Sequence, residues 1–174
     1  MKIAITGKMC SGKSSIANLL VEGESRYEIY SFGQKVKDVA KDLFGMKEKD
    51  RTLLTSIGTK MREINPDVWV NYVIQQTEGK THCIVDDLRY QNEYEALSKA
   101  GFKIIQLTLD PKIQAERIKK VYPNNYQDHF NNRNHISERN EFQWFKEDNP
   151  LIVDSGKETI LEIMEKINNY LLRS

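Results

Sequence analysis

Ile3-Ala4-Ile5-Thr6-Gly7-Lys8-Met9-Cys10-Ser11-Gly12-Lys13-Ser14-Ser15 fits the pattern G-x-x-x-x-G-K-S/T, with Gly7, Gly12, Lys13 and Ser14 in register. An apolar run precedes the loop and Ile16-Ala17-Asn18-Leu19-Leu20 follows it, so the motif sits between an expected strand and an expected helix, the context it requires. Glycines let the backbone turn tightly. Successive N–H groups and the positive end of the new helix then point at one anionic centre, which suits a triphosphate tail. In that arrangement Gly7, Lys8, Met9, Cys10, Ser11 and Gly12 form the cradle. Lys13 reaches the β- and γ-phosphates, the Ser14 hydroxyl ligates magnesium, and Ser15 adds a hydrogen bond on the α-phosphate side.

Outward from this loop the chain alternates. A first strand over residues 2–6 and a helix ending near Glu22 are followed by Tyr27-Glu28-Ile29-Tyr30-Ser31-Phe32, whose aromatic alternation predicts a short strand. From Gly33, Val36, Val39, Ala40, Leu43 and Phe44 recur at helical spacing. Leu53, Leu54, Ile57 and Met61 do the same over residues 50–63, and Asp67 is placed to cap a third helix from Val68 to Thr77. Three helices between two strands exceed what a crossover needs, so residues 33–78 are expected to form a substrate-binding insertion.

His82-Cys83-Ile84-Val85-Asp86-Asp87 is the second informative run, an apolar strand ending in two carboxylates and trailed by Arg89. A strand end of this kind places a carboxylate at the carboxyl edge of a parallel sheet, where ligands bind and magnesium-bound water needs an acceptor. A helix over residues 91–100, a strand over 103–109 and a helix opened by Asp110-Pro111 come next. Residues 122–140 are rich in Asn, Tyr, His and Arg with little apolar periodicity and read as a mobile loop. Leu151-Ile152-Val153-Asp154 and residues 157–172 supply a final strand and helix. The expectation is an α/β fold, a P-loop NTPase three-layer sandwich with a five-stranded parallel sheet and helices on both faces. One domain spans 1–174, with core 1–32, 79–121 and 141–174, insertion 33–78 and lid 122–140.

The 174 residues suit one domain, and 39% hydrophobic and 29% charged residues are ordinary. A formal net charge of +1 gives no global electrostatic footprint for nucleic acid, so none is expected as a partner. No signal-peptide layout and no apolar run near the ~18 residues of a membrane span are present, which leads to an expectation of a cytoplasmic protein without a membrane partner. Cys10 and Cys83 form neither a metal-binding spacing nor a disulfide framework and read as reduced thiols.

Several strings resemble one family. Ser31-Phe32-Gly33-Gln34-Lys35-Val36-Lys37, Leu43-Phe44-Gly45, Lys49-Asp50-Arg51, Gly58-Thr59, Arg62, Pro66-Asp67-Val68-Trp69-Val70 and Asp87-Leu88-Arg89-Tyr90-Gln91-Asn92-Glu93 look like the deoxynucleoside monophosphate kinases of phages and large viruses. Those enzymes belong to the nucleoside monophosphate kinase branch of P-loop kinases, and the likeness runs over most of residues 1–140. It implies ATP and Mg2+ as cofactors, small-molecule nucleotides as substrates, and the reaction dNMP + ATP = dNDP + ADP, in the host cytoplasm if the chain is viral. A homodimer stays open.

By that resemblance Arg89 holds the acceptor phosphate, and Asp87 sits near the magnesium or the acceptor. Asp86 is the second candidate there and joins Ser14 in the expected metal set. Lys37 and Arg62 help to hold the monophosphate, Trp69 packs against the base or against the core, and Glu138 joins the substrate-binding set through the string His135-Ile136-Ser137-Glu138-Arg139. Arg117 packs on the donor adenine, with Lys120 standing where the family has a second arginine. Arg133 or Arg139 supplies the closing charge. Lys13, Asp87, Arg89, Arg133 and Arg139 therefore form the expected catalytic group. An acceptor phosphate is already ionised at neutral pH, so no general base is needed and catalysis rests on positioning and charge neutralisation. A dephospho-coenzyme A kinase or another small-molecule kinase shares the layout and would use Asp86 or Asp87 as a base toward a hydroxyl. A non-catalytic nucleotide-binding protein is the third reading. Asn-Lys-x-Asp and Ser-Gly-Gly-Gln strings are absent, which disfavours a guanine-nucleotide switch and a transporter ATPase.

Overall fold

The computed structural model describes residues 1–132, 138 and 141–172. In chain order the elements are β1 (Lys2–Gly7), α1 (Lys13–Gly23), β2 (Glu28–Tyr30), α2 (Phe32–Phe44), α3 (Arg51–Ile64), α4 (Val68–Thr77) and β3 (Cys83–Leu88). They continue with α5 (Gln91–Lys99), β4 (Phe102–Thr108), α6 (Pro111–Val121), α7 (Tyr126–Asn132), β5 (Leu151–Asp154) and α8 (Ile160–Leu172). The strands form one parallel sheet in the order β2-β3-β1-β4-β5. The expected three-layer α/β sandwich is the fold found.

Period-two alternation divides the core. Ile3 and Ile5 of β1, Ile84 of β3, Ile105 and Leu107 of β4 and Val153 of β5 pack with Ile16, Ala17 and Leu20 of α1 and Ile163, Ile167 and Leu171 of α8. Ala4, Cys83, Val85 and Ile104 face the other way, onto Val36 and Ala40 of α2, Trp69, Val70 and Val73 of α4 and Tyr94 and Leu97 of α5. β1 is buried on both faces and paired on both edges, as a central parallel strand must be.

The insertion begins where α2 starts. Ser31 caps that helix through a bond from Gln34 N–H, and Gly45 ends it in the left-handed conformation at φ 64°. Asp50 caps α3 by accepting from Leu53 N–H. Asp67, in the position expected of a cap, makes no side-chain cap bond to α4; it accepts from Asn92 at 2.8 Å and so ties α4 to α5. The expected loop over 122–140 contains α7. This helix has seven residues; within it Tyr126 meets Phe130 edge-on, His129 stacks on the preceding Tyr122 at 3.6 Å between ring centroids, and Arg51 of α3 reaches the His129 ring. Beyond it, Phe142, Trp144 and Phe145 surround Tyr94, whose hydroxyl donates to Asp148, so the chain returns to β5 strapped across α5. No helix among the described residues is long and apolar enough to cross a membrane.

Gly7 ends β1 at φ 153°, and a Cβ there would lie 2.6 Å from Ser11 Oγ and 2.7 Å from the backbone oxygen of Leu107. Neither neighbour can withdraw without moving the loop or β4. Gly7→Ala is expected to destabilise the fold by about 2 kcal/mol or more. Urea unfolding checks this; a midpoint unchanged from wild type would contradict it.

Candidate active site

The phosphate loop spans Lys8–Gly12, between the end of β1 and the start of α1. Gly12 stands at the α1 N-cap at φ 94°, and no side chain caps that helix, which leaves its first N–H groups available to an anion. Cys10 adopts φ 62°, a left-handed conformation in a residue with a Cβ. Ser11 Oγ is buried within the loop with no hydrogen-bond partner among the described residues. Lys13 Nζ is folded inward, donating to the carbonyls of Gly7 at 2.6 Å and Lys8 at 3.0 Å. Burial, and then the neighbouring Arg89 guanidinium, push its ammonium down to about 8.

The two carboxylates at the end of β3 do different things. Asp86 accepts from Ser14 Oγ at 3.0 Å, and burial followed by the adjacent Asp87 raises its carboxyl above the ordinary range. Asp87 accepts from Ser31 Oγ at 2.7 Å, Phe32 N–H at 3.0 Å and Gly33 N–H at 2.8 Å. It therefore anchors the N-terminus of α2, the hinge between sheet and insertion, and is not turned toward Ser14. Adjacent strand residues point to opposite faces, which is why the pair divides between α1 and α2.

Arg89 follows β3 and pairs with Glu138, whose other carboxylate oxygen accepts from Met9 N–H at 2.6 Å. Glu93 is buried on α5 and accepts from the N–H groups of Arg89 at 2.9 Å and Tyr90 at 3.1 Å, fixing the turn that carries Arg89. Burial raises its carboxyl to about 7, against the opposing pull of these N–H groups and of Arg62. Arg62 donates to Glu93 at 3.3 Å and to the Gly58 carbonyl, and its guanidinium lies 4.4 Å from the Tyr90 ring centroid. Trp69 is buried and donates to the Gly58 carbonyl at 3.3 Å, which puts it in the core of the insertion.

Beside Asp86 opens a cleft of about 450 Å³ between β2, α2 and α4, lined by Tyr30, Gln34, Lys37, Tyr72 and Gln76 among others. Of the residues expected to bind substrate, Lys37 is the one that lines this cleft. On the opposite side of the loop, Arg117 of α6 donates to the carbonyls of Cys10 at 3.2 Å and Ser155 at 2.6 Å, joining the phosphate loop to the turn after β5. Gln114 donates to the Met9 carbonyl at 3.1 Å. Arg133 and Arg139 lie outside the described residues.

These residues fit a nucleotide with magnesium. An uncapped helix N-terminus, an unpartnered buried hydroxyl and a lysine turned onto the carbonyls of Gly7 and Lys8 form a cradle suited to an anion. Ser14 and Asp86, 3.0 Å apart, would offer such a magnesium two hard oxygen ligands. Magnesium takes few protein ligands and completes its shell with phosphate oxygens and water. The described residues hold no cluster of three or more His, Cys, Asp or Glu side chains that would bind a metal without the nucleotide.

Arg51 and Glu93 stand inside strings that resemble the family but received no role from the sequence, and Gln114 and His129 had no signal. Arg51 of α3 donates to the His129 ring at 2.8 Å, and that ring touches Met9 Sδ at 3.2 Å, so insertion, α7 and phosphate loop meet at one imidazole. Burial, then Arg51 and Lys49, lower its pKa. The partners are 78 and 120 residues apart in sequence, beyond the reach of any local pattern.

The family described as AAA domain matches residues 3–141. No curated protein matches the chain in sequence. Among solved structures, a gluconokinase from Sinorhizobium meliloti is similar at TM-score 0.55 and 17% identity, over 99% of this chain and 91% of that one. A sugar kinase from a Janibacter species is similar at 0.58 and 13%, over 98% and 93%. An uncharacterized protein from Eubacterium ventriosum is similar at 0.60 and 16%, over 100% and 99%. At such identities the likeness is one of fold.

The raised carboxyl of Glu93 has a consequence for stability. Between about 4.5, its ordinary value, and about 7, the folded chain binds a proton at Glu93 that the unfolded chain has lost. Stability from this group is therefore full below that interval and falls as pH rises through it. In Glu93→Gln the dependence is absent. The difference in Tm between variant and wild type is expected to move in the variant's favour from pH 5 to pH 8; a constant difference, read by thermal unfolding across that range, would contradict it.

Proposed function

The chain belongs to the AAA domain family, and from that premise we propose that it is a kinase that moves the γ-phosphoryl group of ATP to a deoxynucleoside monophosphate. The observation that carries this reading is the state of the charged groups beside the phosphate loop and at the end of β3. Lys13 and Arg89 lie close enough that the guanidinium depresses the ammonium, and they supply two cations at the end of β1 and β3. Both carboxylates there are already engaged, Asp86 with Ser14 and Asp87 with the N-terminus of α2. A hydroxyl acceptor needs a base to take its proton, whereas a monophosphate arrives ionised and needs only positive charge.

In this reading the loop and Lys13 hold the β- and γ-phosphates, Ser14 and Asp86 hold magnesium, and magnesium neutralises charge on the transferring group. Arg117 lies beside the donor base. Arg89 grips the acceptor phosphate with its planar fork, and Lys37 faces it from the cleft wall. Asp87 sets the angle at which α2 presents that wall. Trp69 and Arg62 act from behind, as packing and as support for Glu93 and the Arg89 turn. Arg133 and Arg139 remain the candidates for the closing charge.

A second reading is kept because Asp86 lines the cleft. If the acceptor is a sugar-like hydroxyl, as it is for a gluconokinase or a sugar kinase such as the two structural neighbours, Asp86 would serve as its base.

Wild type is expected to release ADP from ATP and magnesium in the presence of a dNMP. Lys13→Ala should abolish turnover. Arg89→Ala should raise the acceptor KM by about a hundredfold, the scale expected when a buried charge-assisted contact to phosphate is lost. Steady-state kinetics with ADP coupling checks both; an active Arg89→Ala enzyme with an unchanged acceptor KM would overturn the assignment of that residue.

A further inference from the structure

Glu138 is a buried acid at the centre of an anion cradle. One carboxylate oxygen accepts from Met9 N–H at the tip of the phosphate loop at 2.6 Å, and the other pairs with the Arg89 guanidinium. Lys13, the cation that a γ-phosphate would draw outward, is turned back onto the carbonyls of Gly7 and Lys8. A loop N–H and a guanidinium are the donors that a transferring phosphoryl group uses, and a carboxylate offers them the same kind of anionic oxygen at the same kind of distance. We propose that Glu138 is a resident stand-in for phosphate. It occupies the phosphoryl seat in the nucleotide-free protein and must leave before a triphosphate can settle.

The proposal rests on the reading of the loop as a nucleotide site and is independent of the acceptor's identity. With the carboxylate in place, an arriving γ-phosphate meets a like charge in a poorly solvated seat. Binding is then an exchange: Met9 N–H passes from carboxylate to the arriving phosphate, Lys13 turns outward, Glu138 moves off, and Arg89 is released for the acceptor's phosphate. Only the fraction of molecules with Glu138 displaced is competent, and the apparent affinity is lowered by that fraction.

Glu138→Gln removes the charge and nearly keeps the shape; Glu138→Ala removes both. Calorimetric titration of the full chain with MgATP, and separately with inorganic tripolyphosphate, reads the effect. Both variants are expected to bind both ligands about tenfold more tightly than wild type. Were Glu138 there to position Arg89 for substrate, the variants would bind equally or more weakly, and the proposal would be overturned. Tightening toward MgATP without tightening toward tripolyphosphate would overturn it too, since the gain would then lie outside the phosphate seat. Wild type that binds MgATP beside variants that bind no better sinks this inference alone. Failure of wild type and both variants to bind either ligand sinks the nucleotide reading along with it.

Discussion

The turn at Gly7 sets the terms for everything that faces it. β1 is paired on both edges, so the chain cannot drift sideways as it leaves the sheet, and Leu107 of β4 stands against it. A residue without a Cβ is what lets the backbone pass between that strand and Ser11. From there a few residues must reach the start of α1 and turn their N–H groups inward. Cys10 takes up a left-handed conformation and Gly12 another to complete the curve. Local strain of this sort persists because a fully packed sheet surrounds it. The result is a positive hollow at the carboxyl edge of the sheet, with Asp86 and Arg89 delivered beside it by the neighbouring strand.

That neighbouring strand does the sorting. Alternation along β3 sends Ile84 and Asp86 toward α1, and Val85 and Asp87 toward the helices of the insertion. One carboxylate is thereby committed to Ser14 at the start of α1 and its neighbour to the hinge of α2. The cleft beside them is walled by α2 and α4, so the orientation of α2, fixed by Asp87 at its first turn, shapes that cleft. Phosphate loop, cation, carboxylate and cleft share one cause, the parallel register of three central strands.

Much of this was legible in the chain itself. Strand and helix order follow from periodicities that the core then uses: Ile3 and Ile5 against Ala4, Val36 against Ala40, Ile163 against Ile167. The P-loop pattern marks its own place because glycine spacing and a lysine answer to local geometry. The division of labour between Asp86 and Asp87 was within reach, since neighbouring strand residues cannot both face α1; the likeness to a family said nothing of the bonds that Asp87 makes to the first turn of α2. What stayed hidden depends on tertiary contact. α7 lacks an apolar stripe, and its His129 is held by Tyr122 and by Arg51 of the distant α3. Trp69 could have read a base or a core from its sequence alone, and its burial and its bond to Gly58 decide for the core. Asp67 looked like a cap and serves as a tie to Asn92, a choice made by the packing of α5.

The central claim is that the acceptor is itself a phosphate. Phosphorus NMR of the reaction mixture tests it most directly, with ATP, magnesium and, in turn, a dNMP, gluconate and a sugar. The account predicts a new phosphoanhydride, seen as two mutually coupled resonances of a dNDP, in the dNMP mixture and no transfer in the others. A phosphomonoester resonance from gluconate or the sugar, with the dNMP left intact, would contradict it and move Asp86 from metal ligand to base.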